Sequence, residues 1–225
     1  MTRIQVETEV RNASLAWLKE AGFDHALIVD GDELWLRGLM ADVDEAVRYA
    51  SPDAMACRMI PVIGLPGYPI EGAEDKVTIY IKTSMKFRNC RSPVCQTSLL
   101  NRHGVVHFTA TRKTMEEIII KHRESGHYDD PSYDFEGWIS NVLPNAKPGL
   151  KNAHMYKPMQ IWPMIRNWTR EELVQLPQSL HQYIGATWLN PMKNVAMVEM
   201  PTITKANKFK QNVRSFNKNP FRMAR

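Results

Sequence analysis

The stretch Ala26-Leu27-Ile28-Val29-Asp30-Gly31-Asp32-Glu33 decides the fold of this chain. Four apolar residues run directly into two aspartates that are separated by a glycine. A short apolar run that ends at a turn signal is typical of a strand buried on both faces, the central kind in α/β proteins. In open α/β sheets, ligands bind at the carboxyl ends of the strands. Because Mg²⁺ and Mn²⁺ take carboxylate oxygens and bridge them to phosphate, the pattern predicts a divalent-metal site at Asp30 and Asp32.

The same residues have a simpler interpretation. Asp-Gly is a common tight-turn dipeptide, and acidic residues that follow a strand often cap the next helix. Short motifs match by chance, so both interpretations stay open on the motif alone.

Composition indicates a single globular domain with a tail. The chain has 225 residues, of which 44% are hydrophobic and 24% charged, values that are ordinary for soluble proteins. No apolar run is long enough to span a membrane, and residues 1–7 contain no apolar signal-peptide core. We therefore expect a cytoplasmic protein without a transmembrane segment.

The chain contains three cysteines, Cys57, Cys90 and Cys95. An odd number without an export signal favours reduced thiols. Cys90 and Cys95, with His103 and His107, form an alternative zinc quartet, although the seven residues between the pairs are fewer than in the usual zinc finger.

Charge is distributed unevenly along the chain. The net charge is +5, but residues 202–225 contain seven basic residues and no acidic one, so the rest of the chain is slightly acidic. Phe209, Phe216 and Phe221 alternate with these basic residues. Such a tail is suited to nucleic-acid backbones and bases or to an anionic membrane, and a solvated, partly disordered tail is equally compatible.

The periodicity of apolar residues predicts helices alternating with strands. Helices are expected over 12–21, 41–50 and 133–142, and strands over 26–29, 55–63, 77–81 and 104–109, with an irregular segment at 82–96. Two prolines and two glycines make 64–69 a loop. Thr114 with Glu117, and Thr169 with Glu172, predict capped helices, the first ending at Gly126, and 180–188 continues as helix.

The order of these motifs resembles the metal-dependent GT-A glycosyltransferases of family 2. The resemblance covers about Arg11 to Trp168. It rests on Arg11-Asn12, Asp30-Gly31-Asp32-Glu33, Val106-His107-Phe108, the basic helix from Lys113 to His122, Trp138, and the segment from Lys157-Pro158 to Trp162-Pro163. It implies an α/β fold with a GT-A-like mixed sheet flanked by helices, an incomplete Rossmann-like half. The expected division is a catalytic domain over 1–168, a helical extension over 169–201 and a basic tail over 202–225.

The resemblance also implies a mechanism and its residues. The donor is a nucleotide sugar, with a UDP-sugar favoured, and the acceptor is unknown. Asp30 and Asp32 bind Mn²⁺ or Mg²⁺ with His107 as a third ligand, and this ion stabilises the leaving diphosphate. An ordinary hydrogen-bonded histidine at a strand end is the alternative for His107. Phosphate contacts are expected from Lys82, Lys86 and Arg88, for which simple solvent exposure is the alternative.

An inverting transferase needs a base that accepts the proton of the acceptor hydroxyl. The loop between the metal motif and His107 offers Glu71, Glu74 and Asp75, with Asp75 preferred. A solvated acidic loop is the alternative for each of them.

One part of the family pattern is missing. Family-2 enzymes begin with a nucleoside-binding unit, whereas this chain starts near the helix before the metal motif. We expect the first strand to have an exposed edge, which favours association with a second chain or with another copy. The alternatives are a start further upstream or a scaffold that does not catalyse. A different function is therefore also open, a non-catalytic nucleic-acid-binding protein that uses the basic tail.

Overall fold

The fold is seen in a computed structural model that describes residues 2–71, 75–125, 128, 131–153 and 163–185. These residues all belong to one compact unit over Met1–Leu189. Residues 186–225, with about half of the predicted helical extension and the whole basic tail, lie outside the described residues.

The described residues form alternating helices and strands. The helices are α1 (Arg3–Glu20), α2 (Leu39–Ala50), α3 (Met115–Arg123), α4 (Phe135–Asn141) and α5 (Arg170–Leu173), with 3-10 turns at Leu143–Asn145 and Gln178–Tyr183. The strands are β1 (His25–Leu27), β2 (Glu33–Trp35), β3 (Ala54–Ile63), β4 (Tyr68–Glu71), β5 (Lys76–Lys82), β6 (Phe87–Asn89), β7 (Ser92–Pro93), β8 (Thr97–Ala110) and β9 (Met164–Ile165).

The main sheet is mixed and is built around β3. This strand pairs antiparallel with β5 and β4 on one side and parallel with β8 on the other. β1 lies outside β5, β2 outside β8 and β9 outside β4. The sheet curls into a half-barrel flanked by helices, so the predicted α/β class is confirmed.

Helices α1 and α2 pack against the sheet in two separate apolar clusters. Leu15 of α1 packs with Ala26 and Ile81 in one apolar cluster, and Leu39 of α2 belongs to another cluster with Tyr80. Further along β3, α3 and α4 pack over the end of the strand, in a cluster that contains Ile63, Ile118 and Trp138. Removing apolar surface from water on both faces is what makes β3 and β5 the core strands.

The prediction that the 26–29 run is a central strand buried on both faces is wrong. β1 has three residues, of which only Ala26 is buried, and Leu27 is 45% and Val29 56% exposed. Among the described strands, β5 is the only partner of β1, so β1 is an edge strand. The expected exposed edge is therefore observed, while a partner chain for it stays a prediction.

Several other elements differ from their predicted form. The alternation of apolar and polar residues over 77–81 is typical of a half-buried strand, but these residues of β5 are all buried, and the Thr78 hydroxyl donates to the Arg91 carbonyl. α1 begins nine residues earlier than predicted, and β8 begins at Thr97 instead of 104. The 64–69 loop ends in the short strand β4, and 82–96 contains the β6–β7 ribbon.

The predicted helix starts are confirmed by hydrogen bonds. The Thr114 hydroxyl accepts from the Glu117 backbone N–H, and Thr169 forms a reciprocal capping box with Glu172. α3 ends at Arg123, and the predicted stop at Gly126 lies outside the described residues. The predicted helix from 180 appears as the 3-10 turn Gln178–Tyr183. Within the described residues, no helix is long and apolar enough to cross a membrane.

Candidate functional site

The two aspartates lie on the segment that passes from one side of the sheet to the other. β1 pairs with β5, whereas β2, which begins at Glu33, pairs with β8 on the far side of β3. Pairing of β2 with β8 sets Glu33 opposite His107, and the Phe108 N–H donates to the Asp32 carbonyl at 2.9 Å. The strand register therefore fixes Asp32 beside His107.

Asp32 is the centre of a cationic cluster. Its Oδ1 lies 3.2 Å from His107 Nε2, and its Oδ2 accepts from Arg112 at 3.2 Å and from Lys121 Nζ. Arg112 and Lys121 also donate to the carbonyls of Phe108 and Thr109. Strand β8, helix α3 and the connection between them thus hold three cationic or titratable groups around one carboxylate. We call Asp32, His107, Arg112 and Lys121 the Asp32 cluster.

The electrostatics of this cluster keep Asp32 ionised. Burial acts to raise the pKa of Asp32, but its contacts with His107 and Lys121 outweigh burial and hold the pKa well below its usual range. Burial, together with the Arg112 charge, lowers the pKa of Lys121 despite the attraction of Asp32. The cluster has more positive than negative groups, which suits it to an additional anion.

Asp30 has a different set of partners. Its Oδ1 accepts from Arg11 at 2.8 Å and its Oδ2 accepts from Arg91 at 3.0 Å. Arg91 also donates to Glu33 and to the carbonyls of Ile28 and Thr78, and Arg11 also donates to Glu7. The Glu33 side chain is 1% exposed and that of Arg91 is 11% exposed. We call Asp30, Glu33, Arg11, Arg91 and Glu7 the Asp30 knot.

Each charged group of the Asp30 knot has an oppositely charged partner, and the net charge of the knot is −1. Burial acts to raise the pKa of Asp30, but the charge of Arg91 and the hydrogen bond from Arg11 leave the pKa lowered. Burial acts to lower the pKa of Arg11, but hydrogen bonds to Asp30 and Glu7 leave that pKa raised. Three carboxylates and two guanidiniums share the knot, so each charge has a close partner.

A cavity of about 640 Å³ opens beside the Asp32 cluster. This volume lies within the range of small-molecule sites. It is lined by Gly31, Asp32, Glu33, Leu34, Phe108, Thr111, Arg112, Lys113, Glu117, Leu180 and Tyr183. A second cavity of about 550 Å³ shares Arg112 and Glu117 with the first and also includes Lys121.

The three predicted phosphate-binding residues lie away from Asp32. In the register of β5 with β1, Lys82 lies opposite His25. His25 begins β1, whereas Asp30 follows the other end of that strand. The Nζ atom of Lys82 donates to the Asp53 carboxylate at 2.9 Å. Lys86 and Arg88 are exposed near the β6–β7 ribbon. The structure does not bring Lys82 to the acidic turn.

The predicted base residues are only partly described. Glu71 ends β4, is exposed, and pairs with Met164 in the strand register. Asp75 precedes β5, where its carbonyl accepts from the Met59 N–H at 2.9 Å. Glu74 lies outside the described residues, as does the Lys157–Trp162 segment of the family resemblance. Neither Glu71 nor Asp75 lines the cavity next to Asp32.

Among the described residues, neither the alternative zinc quartet nor the predicted metal set of Asp30, Asp32 and His107 is arranged to hold a metal ion. The described part of the chain includes all of these side chains, and no group of three or more His, Cys, Asp or Glu within it is placed to hold a metal ion. Burial and the Glu7 carboxylate raise the pKa of the Cys90 thiol to about 12, and burial raises that of Cys95. Zinc binds the thiolate, which these environments disfavour.

Sequence reasoning did not single out Arg91, Arg112 and Lys121. Arg91 lies in the irregular basic segment 82–96, and nothing in the sequence distinguishes it from its basic neighbours Lys86 and Arg88. Lys121 lies two turns into a helix whose start was predicted correctly. Only the packing of α3 against β8 shows that Lys121 reaches back to Asp32.

Asp32 and His107 have the chemistry and spacing for a hard divalent ion. Mg²⁺ binds octahedral ligands at about 2.0–2.1 Å, which puts neighbouring ligand atoms about 3 Å apart. The Oδ1 and Nε2 atoms are 3.2 Å apart. Two protein ligands suffice where substrate phosphates and water complete the shell. Both Asp30 oxygens accept from guanidiniums here, so the two-residue set fits better than the predicted set of three.

Comparisons of the chain with protein-family models, with curated proteins and with solved structures found no match.

Proposed function

We propose that this protein is a metal-dependent glycosyltransferase of GT-A type that uses a nucleotide-sugar donor, with the Asp32 cluster as its diphosphate site. The observation that carries the proposal is the single carboxylate held among His107, Arg112 and Lys121 at the mouth of a cavity of small-molecule size. The carboxylate of Asp32 can bind a divalent metal ion, and the neighbouring Arg112 and Lys121 can bind phosphate oxygens. This combination suits a metal-bound diphosphate better than a neutral ligand.

In this proposal the residues of the cluster have separate roles. Asp32 and His107 would hold Mn²⁺ or Mg²⁺, which when bound supplies Lewis-acid stabilisation of the leaving diphosphate. Arg112 and Lys121 would turn from Asp32 Oδ2 towards the phosphate oxygens, whose negative charge grows as the glycosidic bond breaks. They take the place of the predicted Lys82, Lys86 and Arg88 because they already lie at the carboxylate.

Inorganic pyrophosphate is the sharpest probe, because it presents a diphosphate without requiring a nucleoside pocket. We expect the full chain to bind pyrophosphate in calorimetry with Mn²⁺, and to lose that binding in EDTA. Asp32→Asn should weaken it at least about tenfold, as loss of a metal ligand or its close support does. Lys82→Met is the matched cation control and should bind as the wild type does.

The result that would overturn this proposal is the absence of Mn²⁺-dependent binding in the wild-type chain. Equal affinity in the wild type and in Asp32→Asn would remove the diphosphate site from this cluster. Release of nucleoside diphosphate from UDP-sugars, measured next, would establish the transfer chemistry itself.

A further inference from the structure

Helix α1 is tied to the rest of the fold largely by polar side chains. The Asn12 amide nitrogen donates to the Phe87 carbonyl, and the Asn12 amide oxygen accepts from the Phe87 N–H. Arg11 donates to Asp30 at 2.8 Å, and Leu15 is buried in an apolar cluster with residues of the sheet. Arg11, Asn12 and Leu15 lie on one side of the helix, so they fix which side is turned away from the fold.

The opposite side of α1 carries exposed apolar residues. Val6 is 47% exposed, and Val10 and Trp17 are each 60% exposed. Ala13, which lies between them, is also exposed. Among the described residues, none of the four belongs to an apolar cluster. We call Val6, Val10, Ala13 and Trp17 the α1 stripe. Because a surface helix normally turns its apolar side to the core, an exposed stripe indicates an interaction surface.

The spacing of the α1 stripe suits packing against a second helix. Its members are separated by four, three and four residues, which is the a/d spacing of a coiled coil.

The α1 stripe is also symmetric about the middle of the helix. Val10 and Ala13 are equally far from that point in opposite directions, and so are Val6 and Trp17. In an antiparallel pair of α1 helices, each Trp17 therefore lies opposite Val6 of the second copy. Each Val10 likewise lies opposite Ala13. A two-fold interface requires a self-complementary surface of this kind.

The charges around the α1 stripe favour a second copy as its occupant. The exposed charged residues of α1 are Arg3, Glu9, Lys19 and Glu20, which together have no net charge. A neutral surface offers no charge complementarity to the seven basic residues of the tail over 202–225, or to an anionic membrane.

An antiparallel pair of α1 helices, by contrast, brings opposite charges together. Arg3 lies at the level of Glu20 of the second copy, and the two helix dipoles run in opposite directions. Arg3 also donates to the carbonyls of Arg123 and Ser125, which holds its charge near this end of the helix.

We propose that the α1 stripe is a dimer interface, on which the α1 stripe of a second copy of this chain packs antiparallel. This inference does not depend on the transferase proposal. A helix of 18 residues is about 27 Å long, and the contact of two such helices lies near the lower limit of about 1,000 Å² for a specific interface. We therefore expect a reversible dimer with a Kd in the micromolar range.

The first test measures the oligomeric state of the full chain. Sedimentation velocity from low to high micromolar protein should show reversible dimerisation. Val10→Lys places a charge in the middle of the α1 stripe and should raise the Kd of the dimer by about 30-fold or more. Val29→Lys is the matched control, because Val29 is 56% exposed after β1 and receives the same substitution. It should leave the Kd unchanged, and circular dichroism should show the wild-type helix content in both variants.

The second test determines the direction of pairing. Val6→Glu and Trp17→Lys should each prevent the chain from pairing with itself, because a charge then meets an apolar residue at both ends of the interface. When the two variants are mixed, the antiparallel arrangement sets the introduced glutamate opposite the introduced lysine at one end. The native contact between Val6 and Trp17 remains at the other end. The mixture should therefore form a heterodimer with a Kd at least about tenfold lower than that of either variant alone.

Four results would overturn the inference. A wild-type chain that stays monomeric at high micromolar concentration would show that the α1 stripe does not pair with itself. A mixture of Val6→Glu and Trp17→Lys that stays monomeric would exclude the antiparallel arrangement. If Val29→Lys loses the dimer while Val10→Lys retains it, the interface is the edge of β1. If vesicles of anionic lipid retain a monomeric wild type but not Trp17→Lys, the α1 stripe binds a membrane surface.

The dimer and the proposed diphosphate site can fail separately. Val10 lies on the side of α1 that is turned away from the fold, so Val10→Lys should bind pyrophosphate with Mn²⁺ as the wild type does. Loss of pyrophosphate binding in the wild type would overturn the transferase proposal and leave the dimer interface in place.

Discussion

Two aspartates one residue apart lie in opposite electrostatic settings. Asp30 belongs to a knot in which the guanidiniums of Arg11 and Arg91 also have Glu7 and Glu33 as partners. Among the described residues, Asp32 is the one carboxylate that forms ion pairs with His107, Arg112 and Lys121. The knot has one more carboxylate than it has guanidiniums and holds β1, β2 and α1 together, whereas the Asp32 cluster has more cations than carboxylates and lies at a cavity.

This difference indicates how one short motif serves both the fold and the site. Guanidiniums form fixed, multiple hydrogen bonds and remain charged at all ordinary pH values, which suits them to structural pairing. Lysine and histidine are compact groups whose charge responds to their surroundings. The turn that carries Asp30 is therefore anchored by two arginines, whereas the neighbouring Asp32 is paired with one arginine, Arg112, together with Lys121 and His107.

The largest expected effect comes from breaking the Asp30 knot. Arg91→Met removes the partner of Glu33, whose side chain is 1% exposed, and leaves a buried charge without compensation. We expect the free energy of unfolding to fall by about 3–5 kcal/mol, measured by urea denaturation. Arg88→Met, an exposed arginine on β6, should change it by less than about 0.5 kcal/mol. Equal losses in the two variants would contradict a structural role for the knot.

A second effect concerns the helix that presents Lys121. On the buried side of α3, His122 is 4% exposed, packs against Phe135 and Trp138, and has an Nε2 atom without a partner among the described residues. Burial and the charges of Lys121 and Arg112 lower the pKa of His122 to about 3.

This lowered pKa makes stability depend on pH in one direction. Between pH 6.5 and 5 the unfolded chain protonates His122 while the folded chain does not, so stability falls as the pH falls. We expect a loss of about 1.5 kcal/mol across this window from this residue. His122→Phe should remove that loss when urea denaturation is measured at both pH values. An unchanged pH dependence in the variant would contradict the buried, neutral histidine.

The smallest effect tests charge balance directly. Asp32→Asn leaves His107, Arg112 and Lys121 without their carboxylate, and we expect a loss of about 1 kcal/mol in EDTA. Millimolar sulfate should restore this stability, because an anion can replace the carboxylate. Thermal unfolding at matched ionic strength, with chloride in place of sulfate, isolates the effect.

Asp30→Asn is the matched comparison. Arg11 and Arg91 keep Glu7 and Glu33 as partners in this variant, so sulfate should give it no more than the wild-type response. Equal rescue of both variants by sulfate would show that the two aspartates have the same environment and would remove the distinction between knot and cluster.

Local signals in the sequence predicted much of the fold. Thr114 and Thr169 mark helix starts because their hydroxyls bond to backbone N–H groups three residues away, which is a purely local interaction. The 55–63 strand and the α/β class were also predicted correctly. The 26–29 run was misjudged because a continuous apolar pattern does not specify how many neighbours a strand has.

The site was predictable only in part, for the same reason. The sequence identified Asp30, Asp32 and His107 as functional candidates. Two carboxylates at the end of an apolar run, and a histidine within a later predicted strand, can each be recognised from the residues next to them. Arg91 and Lys121 lie 61 and 89 residues from the aspartates they contact. The periodicity of apolar residues carries no information about contacts between residues so far apart in the sequence. Arg91 and Lys121 therefore could not be distinguished from exposed arginines and lysines.

The sequence by itself therefore determined two helix caps, the positions of four of the nine described strands and the acidic turn, because these depend on interactions within a few residues. Only the tertiary structure decided which strands are central and which cation pairs with which carboxylate. Those choices follow from the register of β2 with β8 and from the packing of α3, which bring distant charges within hydrogen-bonding distance in a partly buried environment. The same packing separates Asp30, fixed within the fold, from Asp32, which faces the cavity.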